Sequence, residues 1–475
     1  METNYDVCII GAGSAGMAAA YALRNVKEQL KVLVVEPYET LGGTAVNAWV
    51  QTWSQGITPR YLKDILIRYG YRAEQIDNSI LPERYSGIKG GNLFINKDCL
   101  AKIYLSDMKA SDNITLLTSH SLVRVKDMKD GLINSVEVED SMHQKITISA
   151  RFFIDSSGDG VLCRLACPIE NEDYFMGEDP YERFKEPLMK NIKWDRNVMN
   201  EPSLLYGVGA NAPSDKNLLS KITSVYTTKE GIIEKPKYIN HDGCTYGSYL
   251  NPLTGMGFAG AEVLADYNKV YKEAKELRQY EHWKYIKLNL EQQFLLKKKN
   301  WASYDVEQRN WNHTGVCAPM LGVRESYRVN CEYMLRQQDL VDRINPKSLN
   351  DFIACGTETV DLHIYGNLYW KAVADFNETV QPTGIPYRCL IPKKLKNVFI
   401  ACRAFGASHI ALAARRVNKD MAQLGWAAGN AIRICCNEKL TDVRCVNVSI
   451  LQGKEYTGFA ENVELMHTKF LDKRK

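Results

Sequence analysis

Val7-Cys8-Ile9-Ile10-Gly11-Ala12-Gly13-Ser14-Ala15-Gly16 is the stretch that decides the fold. The apolar run fits a strand buried on both faces, and the glycines follow it at once. From Ser14 to Val26, residues Ala15, Ala18, Ala19, Ala22 and Leu23 keep helical spacing, and a second β-rich run, Lys31 to Val35, ends in Glu36. Together these form a βαβ unit with an acid about 20 residues beyond the last glycine. Gly11 makes the tight turn, Gly13 lets the backbone approach a diphosphate, and Gly16 allows the helix to lie close to the strand. The helix N-terminus around Ser14 and Ala15 offers unpaired N–H groups and about half a positive charge to phosphate. Glu36 can accept both hydroxyls of an adenosine ribose and disfavours a 2′-phosphate. The unit predicts dinucleotide binding.

Two other stretches match the letters without the context. Gly255-Met-Gly257-Phe-Ala-Gly260 follows Pro252 instead of a buried strand, and Gly207-Val-Gly209-Ala-Asn-Ala212 runs into Pro213. Both read as loops, so no separate nicotinamide dinucleotide domain is expected.

The chain has 475 residues and a net charge of +4, with 45% hydrophobic, 10% aromatic and 24% charged residues. That composition excludes disordered, collagen-like and coiled-coil chains, and the length allows roughly three domains or one large nucleotide-binding unit carrying an insertion. No basic stripe announces nucleic acid. The 13 cysteines include no C-x-x-C pair, so free thiols in a reducing compartment are expected, with no metal site. Cys163 with Cys167, and Cys435 with Cys436, read as small buried hydrophobes. Glu2 and Asp6 stand where a signal peptide needs positive charge, and no run reaches the roughly 18 apolar residues of a membrane span. A cytoplasmic protein with no membrane partner is expected.

After Glu36 come Pro37 and the glycine pair of Leu41-Gly42-Gly43-Thr44-Ala45-Val46-Asn47, small residues against which a flat ligand could lie. Lys97 to Ala110 has helical spacing and Ile114 to Leu117 is strand-like. Ser121 to Val125, Ile133 to Glu139 and Lys145 to Ser149 predict a meander with a turn at Lys129-Asp130-Gly131. Phe152 to Asp155 predicts one further strand, ending in Ser156-Ser157-Gly158-Asp159-Gly160.

In this order the blocks resemble the FAD-dependent oxidoreductases related to fumarate reductase and succinate dehydrogenase flavoproteins, in particular the branch labelled simply FAD-dependent oxidoreductase. The resemblance rests first on Gly11 to Glu36 with Gly42-Gly43-Thr44. Phe153 to Gly160 is similar to the family's I-D-A-T-G-D-G, and Leu321-Gly-Val-Arg324-Glu325-Ser326-Tyr-Arg328 to L-G-V-R-E-S-R-R. The last block runs from Asn397 to Arg403 and on through Gly425-Trp-Ala-Ala-Gly429. Ser157, Tyr327 and Cys402 depart from the threonine, arginine and glycine of the pattern.

The resemblance implies an α/β fold: a Rossmann-like FAD-binding domain of the glutathione-reductase-like type with an inserted α+β substrate or cap domain. The expected limits are 1–165 with 385–436 for the FAD domain, 166–384 for the cap, and 437–475 for a C-terminal extension. It implies cofactor contacts at Gly11, Gly13, Ser14, Ala15, Gly16, Glu36, Pro37, Gly42, Gly43, Thr44, Ala45, Asn47 and Val123. Further contacts are implied at Ser157, Gly158, Asp159, Arg403, Arg416, Met421 and Ala422, and catalytic roles for Arg324, His363, Arg403 and His409. Covalent attachment in some relatives uses a histidine near the glycine pair. None lies between Glu36 and Asn47, so FAD is expected to be held non-covalently.

Val398 to Ala401 reads as a buried strand, Arg403 to Lys419 as a long connection, and Met421 to Ile434 as a helix N-capped by Asp420. If that helix points at the flavin, its amides near Met421 and Ala422 would stabilise negative charge at N1 and C2=O of the reduced ring. Arg403, Arg415 and Arg416 are open to a second reading as structural ion pairs, His409 as a core histidine, and Glu325 with Arg328 as a pair one helical turn apart. Ala261 to Lys299 predicts one long helix or a kinked pair, with Val263, Tyr267, Val270, Ala274 and Leu277 on one face and Lys297 to Lys299 at its end. Tyr280, Trp283, Tyr285, Trp301 and Trp311 read as core filling or as stacking partners for a planar substrate.

The function expected is hydride transfer between a small organic substrate and flavin N5, with an external electron carrier or oxygen in the second half-reaction. A tRNA-modifying flavoprotein and a flavin-binding redox sensor without turnover are the alternatives. Substrate identity and oligomeric state are not written in these motifs.

Overall fold

Strands Asn4–Ile10 and Val32–Glu36 pair in parallel, from Val7 opposite Val32 to Ile10 opposite Val35, with helix Ser14–Leu23 crossing between them. This is the βαβ unit expected from the glycine-rich stretch. The computed structural model describes residues 3–86, 92–209, 244–246, 260–280, 312–364 and 370–472. In space the main sheet runs Ile114–Thr118, Val32–Glu36, Asn4–Ile10, Lys145–Asp155, Leu132–Asp140, His120–Lys129, and Val398–Ile400 also pairs with Lys145–Asp155. The fold is therefore α/β and Rossmann-like.

The meander differs from expectation in one instructive way. Lys145 to Ser149 and Phe152 to Asp155 are not two strands but one, Lys145–Asp155, because no Gly or Pro interrupts them. Its first half pairs antiparallel with Leu132–Asp140. Its second half lies between two parallel neighbours, Asn4–Ile10 and Val398–Ile400. One strand thus ties the hairpin to the dinucleotide unit. The hairpin turn falls at Asp130 and Gly131, both left-handed, with φ of 52° and 80°.

Phe152 and Phe153 alternate across the sheet, so one enters each of two apolar layers. Each is almost fully buried and contributes about 1.5–3 kcal/mol. The larger layer is completed by the last long helix, Asn418–Asn437, which crosses the glycine-loop helix at very short range. A Cβ on Gly425 would stand 1.9 Å from the Ala15 carbonyl oxygen, and one on Gly429 2.7 Å from Ala22 Cβ. Small residues on both helices permit this approach.

The connection from Arg403 to Lys419 is not wholly irregular. It holds a short helix, His409–Ala414, capped by Ser408, whose side chain accepts from the Ala411 N–H. Between the two halves of the main sheet, the chain forms short antiparallel pairs, Tyr174–Met176 with Tyr327–Val329 and Phe352–Gly356 with Thr383–Pro386. Gly207 to Gly209, expected as a loop, lie in strand Tyr206–Gly209. Of the expected single long helix or kinked pair, the described part is interrupted at Asp266, which caps Tyr267–Glu273 by accepting from Lys269 N–H. Val263, Val270 and Ala274 are buried there while Leu277 is exposed. Ala210 to Ala212, Gly255 to Gly257, Trp283, Tyr285, Lys297 to Lys299, Trp301 and Trp311 lie outside the described residues.

The last segment returns to the body of the protein. Phe459, Val463, Met466 and Phe470 form an apolar cluster with Ile57, Ile80 and Leu81. Among the described residues, no helix is long and apolar enough to cross a membrane.

Candidate functional site

Ile10, Asp155 and Ile400 stand side by side at the carboxyl ends of three parallel strands. The loops that leave them open on one cavity of about 1160 Å³. Ligands of open α/β sheets bind at such strand ends, and the volume exceeds the roughly 300–1,000 Å³ of common small-molecule sites, leaving room for a dinucleotide and a substrate together.

The three glycines of the first loop differ in what a side chain would meet at each. Gly11 has φ +94°, and a Cβ there would lie 2.5 Å from the Ser156 carbonyl oxygen. On Gly16 it would lie 1.8 Å from the Gly11 carbonyl oxygen, so these two glycines serve chain-to-chain packing. Gly13 is different: a Cβ would meet nothing nearer than Gly43 Cα at 4.0 Å, and the residue lines the cavity with Ser14 and Ala15. The glycine pair joins this loop directly, since Gly42 N–H donates to the Ala12 carbonyl at 2.8 Å. Gly43 and Thr44 line the cavity. Gly42 and Ala45 stand behind them, and Asn47 is buried with its amide turned to Thr40.

Glu36 and Pro37 line the same cavity. The Glu36 carboxylate accepts from Ala12 N–H at 2.7 Å and Tyr38 N–H at 3.2 Å. Burial outweighs both bonds and pushes its pKa up to about 7. Ser157, Gly158 and Asp159 form another part of the wall. Beneath them the buried Asp155 accepts from the Ser157 hydroxyl at 2.6 Å, and that hydroxyl accepts from Val161 N–H at 2.9 Å. A hydroxyl is what the loop needs, and serine supplies it where the family pattern has threonine. Val123 is the extra residue of a bulge between Leu122 and Arg124; Leu122 beside it reaches the cavity.

The two ends of the chain meet here. Ser14 Oγ donates to Asn418 Oδ1 at 3.2 Å across 404 residues of sequence. Asp420 is not the N-cap of the last long helix. The helix begins at Asn418 with Val417 as its cap, so Met421 N–H is already engaged with the Val417 carbonyl at 3.0 Å. Ala422 lies deeper still and is fully buried. The amides without intrahelical partners are those of Asn418, Lys419 and Asp420; Asn418 and the Met421 side chain line the cavity.

At the other end of the cavity the lining is charged. Arg403 pairs with Asp159, and its guanidinium lies flat against Gly158, where a Cβ would come within 2.7 Å of it. Arg324 donates to the Glu201 carbonyl at 2.8 Å and to Ser203 Oγ at 2.7 Å. His363 Nε2 is 2.8 Å from Asp361, and Arg416 donates to the same carboxylate at 3.2 Å. The Asp361 side chain is 59% exposed and lines the cavity. Burial works to raise its pKa, yet His363, Arg416 and Arg324 hold it well below the usual carboxylate range. Burial, reinforced by the Arg324 charge, pulls His363 down to about 4 despite Asp361. The imidazole is neutral at pH 7.

His409, expected among the catalytic residues, is not brought to this cavity. It is fully buried with Nδ1 2.8 Å from Glu325. Glu325 also accepts from Asn200 N–H and Nδ2 at 2.9 and 2.7 Å. Arg328 completes the group, 3.9 Å from Glu325 and 2.5 Å from Asp179. The expected one-turn spacing is wrong as a cause: Tyr327–Val329 is a strand, and Asp179 is the main partner. Arg415 is likewise structural, donating to Thr383 Oγ1 and to the carbonyls of Glu358, Gln381 and Ala414.

Lining residues that the sequence reading did not assign to the site include Tyr38, Tyr267, Glu358 and Asn418. Tyr267 accepts from Leu321 N–H at 2.9 Å, which ties the helix at 267 to the loop before Arg324. Helical spacing marks Tyr267 without telling cavity from core, and no pattern marks the other three.

The family model described as FAD dependent oxidoreductase matches residues 6–454. The chain belongs to that family. FAD is accordingly the cofactor of this flavoprotein, and the open face of Gly13 beside the unpaired amides of Ser14 and Ala15 fits its diphosphate. No curated protein matches the chain. Among solved structures, the flavoprotein is similar to a geranylgeranyl bacteriochlorophyll reductase-like protein from Thermoplasma acidophilum, at 11% identity over 98% of this chain and 87% of that one, TM-score 0.40. It is similar to THI4 of Thermovibrio ammonificans at 18% identity over 37% of this chain and 67% of that one, TM-score 0.27. With p-nitrophenol 4-monooxygenase of Pseudomonas putida it shares 14% identity over 46% of this chain, TM-score 0.29, and spans only 50% of the monooxygenase.

Proposed function

We propose that this protein is an oxidoreductase that transfers a hydride between a small organic acid and non-covalently held FAD, within the branch of the family nearest the fumarate reductase flavoproteins. One observation carries the reading: the Asp361–His363 pair, flanked by Arg324 and Arg416, lines the same cavity as the glycine cradle. When bound, FAD supplies a two-electron acceptor or donor at N5. The FAD domain is residues 1–165 with 385–436, and the segment 166–384 supplies Arg324, Asp361 and His363 as the cap.

Gly13, Ser14 and Ala15 hold the diphosphate, and Glu36 accepts from the ribose. Asn418, Lys419 and Asp420 present their amides at the start of the last long helix, where negative charge is stabilised. Arg324 and Arg416 orient a substrate carboxylate, with Arg403 held at the wall by Asp159. Asp361 accepts from His363 Nε2–H and so fixes Nδ1 as the basic nitrogen. A bound carboxylate offsets the two arginine charges that depress His363, so the imidazole becomes a stronger base once substrate is in place. An external carrier or oxygen completes the cycle.

The test is anaerobic mixing of the FAD-loaded protein with a panel of small 2-hydroxy acids, and of the reduced protein with unsaturated acids, following the visible flavin spectrum. Acids should change it and their uncharged alcohol or amide counterparts should not, with His363→Ala slowing the change at least tenfold. A spectrum indifferent to every acid but responsive to uncharged analogues would overturn the reading.

A further inference from the structure

Asn200 lies behind the cavity wall, 1% exposed, and bridges two residues that stand 125 and 163 positions further along the chain. Its side-chain amide nitrogen donates to Glu325 Oε2 at 2.7 Å, and its main-chain N–H donates to the same oxygen at 2.9 Å. Its amide oxygen accepts from the His363 main-chain N–H at 2.8 Å. The next residue closes the other side, since Glu201 N–H donates to the His363 carbonyl at 2.8 Å. Both polar groups of the His363 backbone are therefore held by one dipeptide.

The bridge matters because His363 sits on irregular chain. Residues 357–364 are in neither helix nor strand, so no ladder fixes the backbone that carries the imidazole to Asp361. The anchor at the other end is firm. Glu325 Oε1 is 2.8 Å from His409 Nδ1 and 3.9 Å from Arg328 Nε, and none of the three side chains has any exposure. Chemistry also fixes which way the amide faces. A carboxylate only accepts and a backbone N–H only donates, so the bridge needs one donor and one acceptor on a short stem, which asparagine has. Aspartate would set a second carboxylate against Glu325, and an apolar residue would leave the His363 N–H without this acceptor.

We propose that Asn200 is a positioning residue of the site: anchored on Glu325, its side chain holds the His363 main chain so that the imidazole stays between Asp361 and the cavity. This rests on His363 being the proton-transferring group of the function proposed above. Asn200 is not among the residues that line the cavity, and it moves no proton; it acts through His363. The buried group of Glu325, His409 and Arg328 thereby gains a task at the cavity, because its fixed charges hold the amide that holds the histidine.

NMR of histidine-labelled, flavin-free protein tests this without turnover, the His363 signal being the one that His363→Ala removes. Burial and the Arg324 and Arg416 charges lower that imidazole to about 4 against the pull of Asp361, so the wild-type signal should stand still between pH 6 and 8. In Asn200→Ala the ring is no longer kept in that setting, and its signal should titrate in this range with a midpoint near the ordinary 6.5. Asn200→Leu keeps the volume, removes both side-chain bonds and should behave alike. Both variants retain the main-chain bond to Glu325, and melting curves check that they fold. In the wild type itself the His363 amide hydrogen should exchange at least about a hundredfold more slowly than an unprotected one; free exchange would overturn the proposal whatever the variants do. So would a signal that stands still in Asn200→Ala or Asn200→Leu. With FAD and an acid substrate, Asn200→Ala should lower kcat roughly tenfold or more and leave KM within about threefold, because Arg324 and Arg416 still hold the carboxylate. An unchanged kcat would also overturn it. A wild type that turns over no acid would count against the function above and leave the His363 signal and its amide exchange decisive for Asn200.

Discussion

His409 Nδ1 lies 2.8 Å from a Glu325 carboxylate oxygen, and neither side chain has any exposure to solvent. Burial raises the Glu325 carboxyl, but the His409 charge and hydrogen bond, with Arg328, outweigh it and hold the pKa at about 2. Burial lowers the imidazole, and Glu325 more than restores it, leaving His409 above its ordinary value of 6.5. The acid's contribution is therefore complete above about 4.5 and lost as pH falls toward 2. That of the histidine is complete below about 6.5 and lost as pH rises through its folded value. The pair stabilises most between these limits. His409→Ala should cost roughly 3–5 kcal/mol at pH 5.5, the range for breaking a buried pair, and less at pH 9. It should still bind FAD and be reduced by dithionite. Urea unfolding at both pH values checks the first outcome and the visible spectrum the second.

Gly13 and Gly11 are two residues apart, yet substitution should separate folding from cofactor binding. At Gly11 a methyl group meets the Ser156 carbonyl oxygen at 2.5 Å on a left-handed backbone, so Gly11→Ala should lower stability by several kcal/mol. At Gly13 the backbone is extended, with φ −71°, and a methyl group has open space. Gly13→Ala should keep apo stability within about 1 kcal/mol and weaken FAD binding at least tenfold. Melting curves of the flavin-free proteins, set beside FAD titrations, distinguish the two.

That separation also marks where the sequence is legible. The glycine loop can be read because each glycine answers a local constraint of the βαβ unit, and local constraints leave a spacing. Glu325 and His409 stand 84 residues apart, and Ser14 meets Asn418 only after the whole chain has folded, so no spacing records either contact. The start of the last helix was misplaced for a related reason. Asp420 has the chemistry of an N-cap, but Asn418 and Lys419 can also begin a helix, and burial of Lys419 against Ser79 is a tertiary fact. Glu358 carries no pattern at all, being an acid just beyond strand Phe352–Gly356 that lines the cavity.

Glu36 gives a second pH test. Burial lifts its pKa from 4.5 to about 7, so the folded flavin-free protein favours the protonated acid. A raised folded pKa gives stability that is complete below the unfolded value and lost as pH rises through the folded one. The loss contributed by Glu36 is up to about 1.4 kcal/mol per pH unit between those values. Glu36→Gln should remove this contribution, so its stability relative to wild type should be higher at pH 8 than at pH 5. The same substitution should weaken FAD binding, because a glutamine oxygen cannot accept from two hydroxyls with the strength of a carboxylate. Paired unfolding curves at the two pH values, together with an FAD titration, check both outcomes.

The contact between the two long helices yields the last test, because its two glycines meet different obstacles. A methyl group on Gly425 faces backbone, the Ala15 carbonyl oxygen at 1.9 Å, while one on Gly429 faces first a side chain, Ala22 Cβ at 2.7 Å, and then the Ala19 carbonyl oxygen at 2.8 Å. Gly425→Ala should therefore cost about 3 kcal/mol or more and shift Asn418 from Ser14, loosening FAD as well. Ala15→Gly should not rescue it, since the obstructing oxygen stays. Gly429→Ala should be partly rescued by Ala22→Gly, with a coupling of about 0.5–3 kcal/mol left after the helix penalty of roughly 1 kcal/mol for the new glycine. Double-mutant cycles on both pairs measure this. Equal coupling in the two cycles would mean that the helices do not meet in this register.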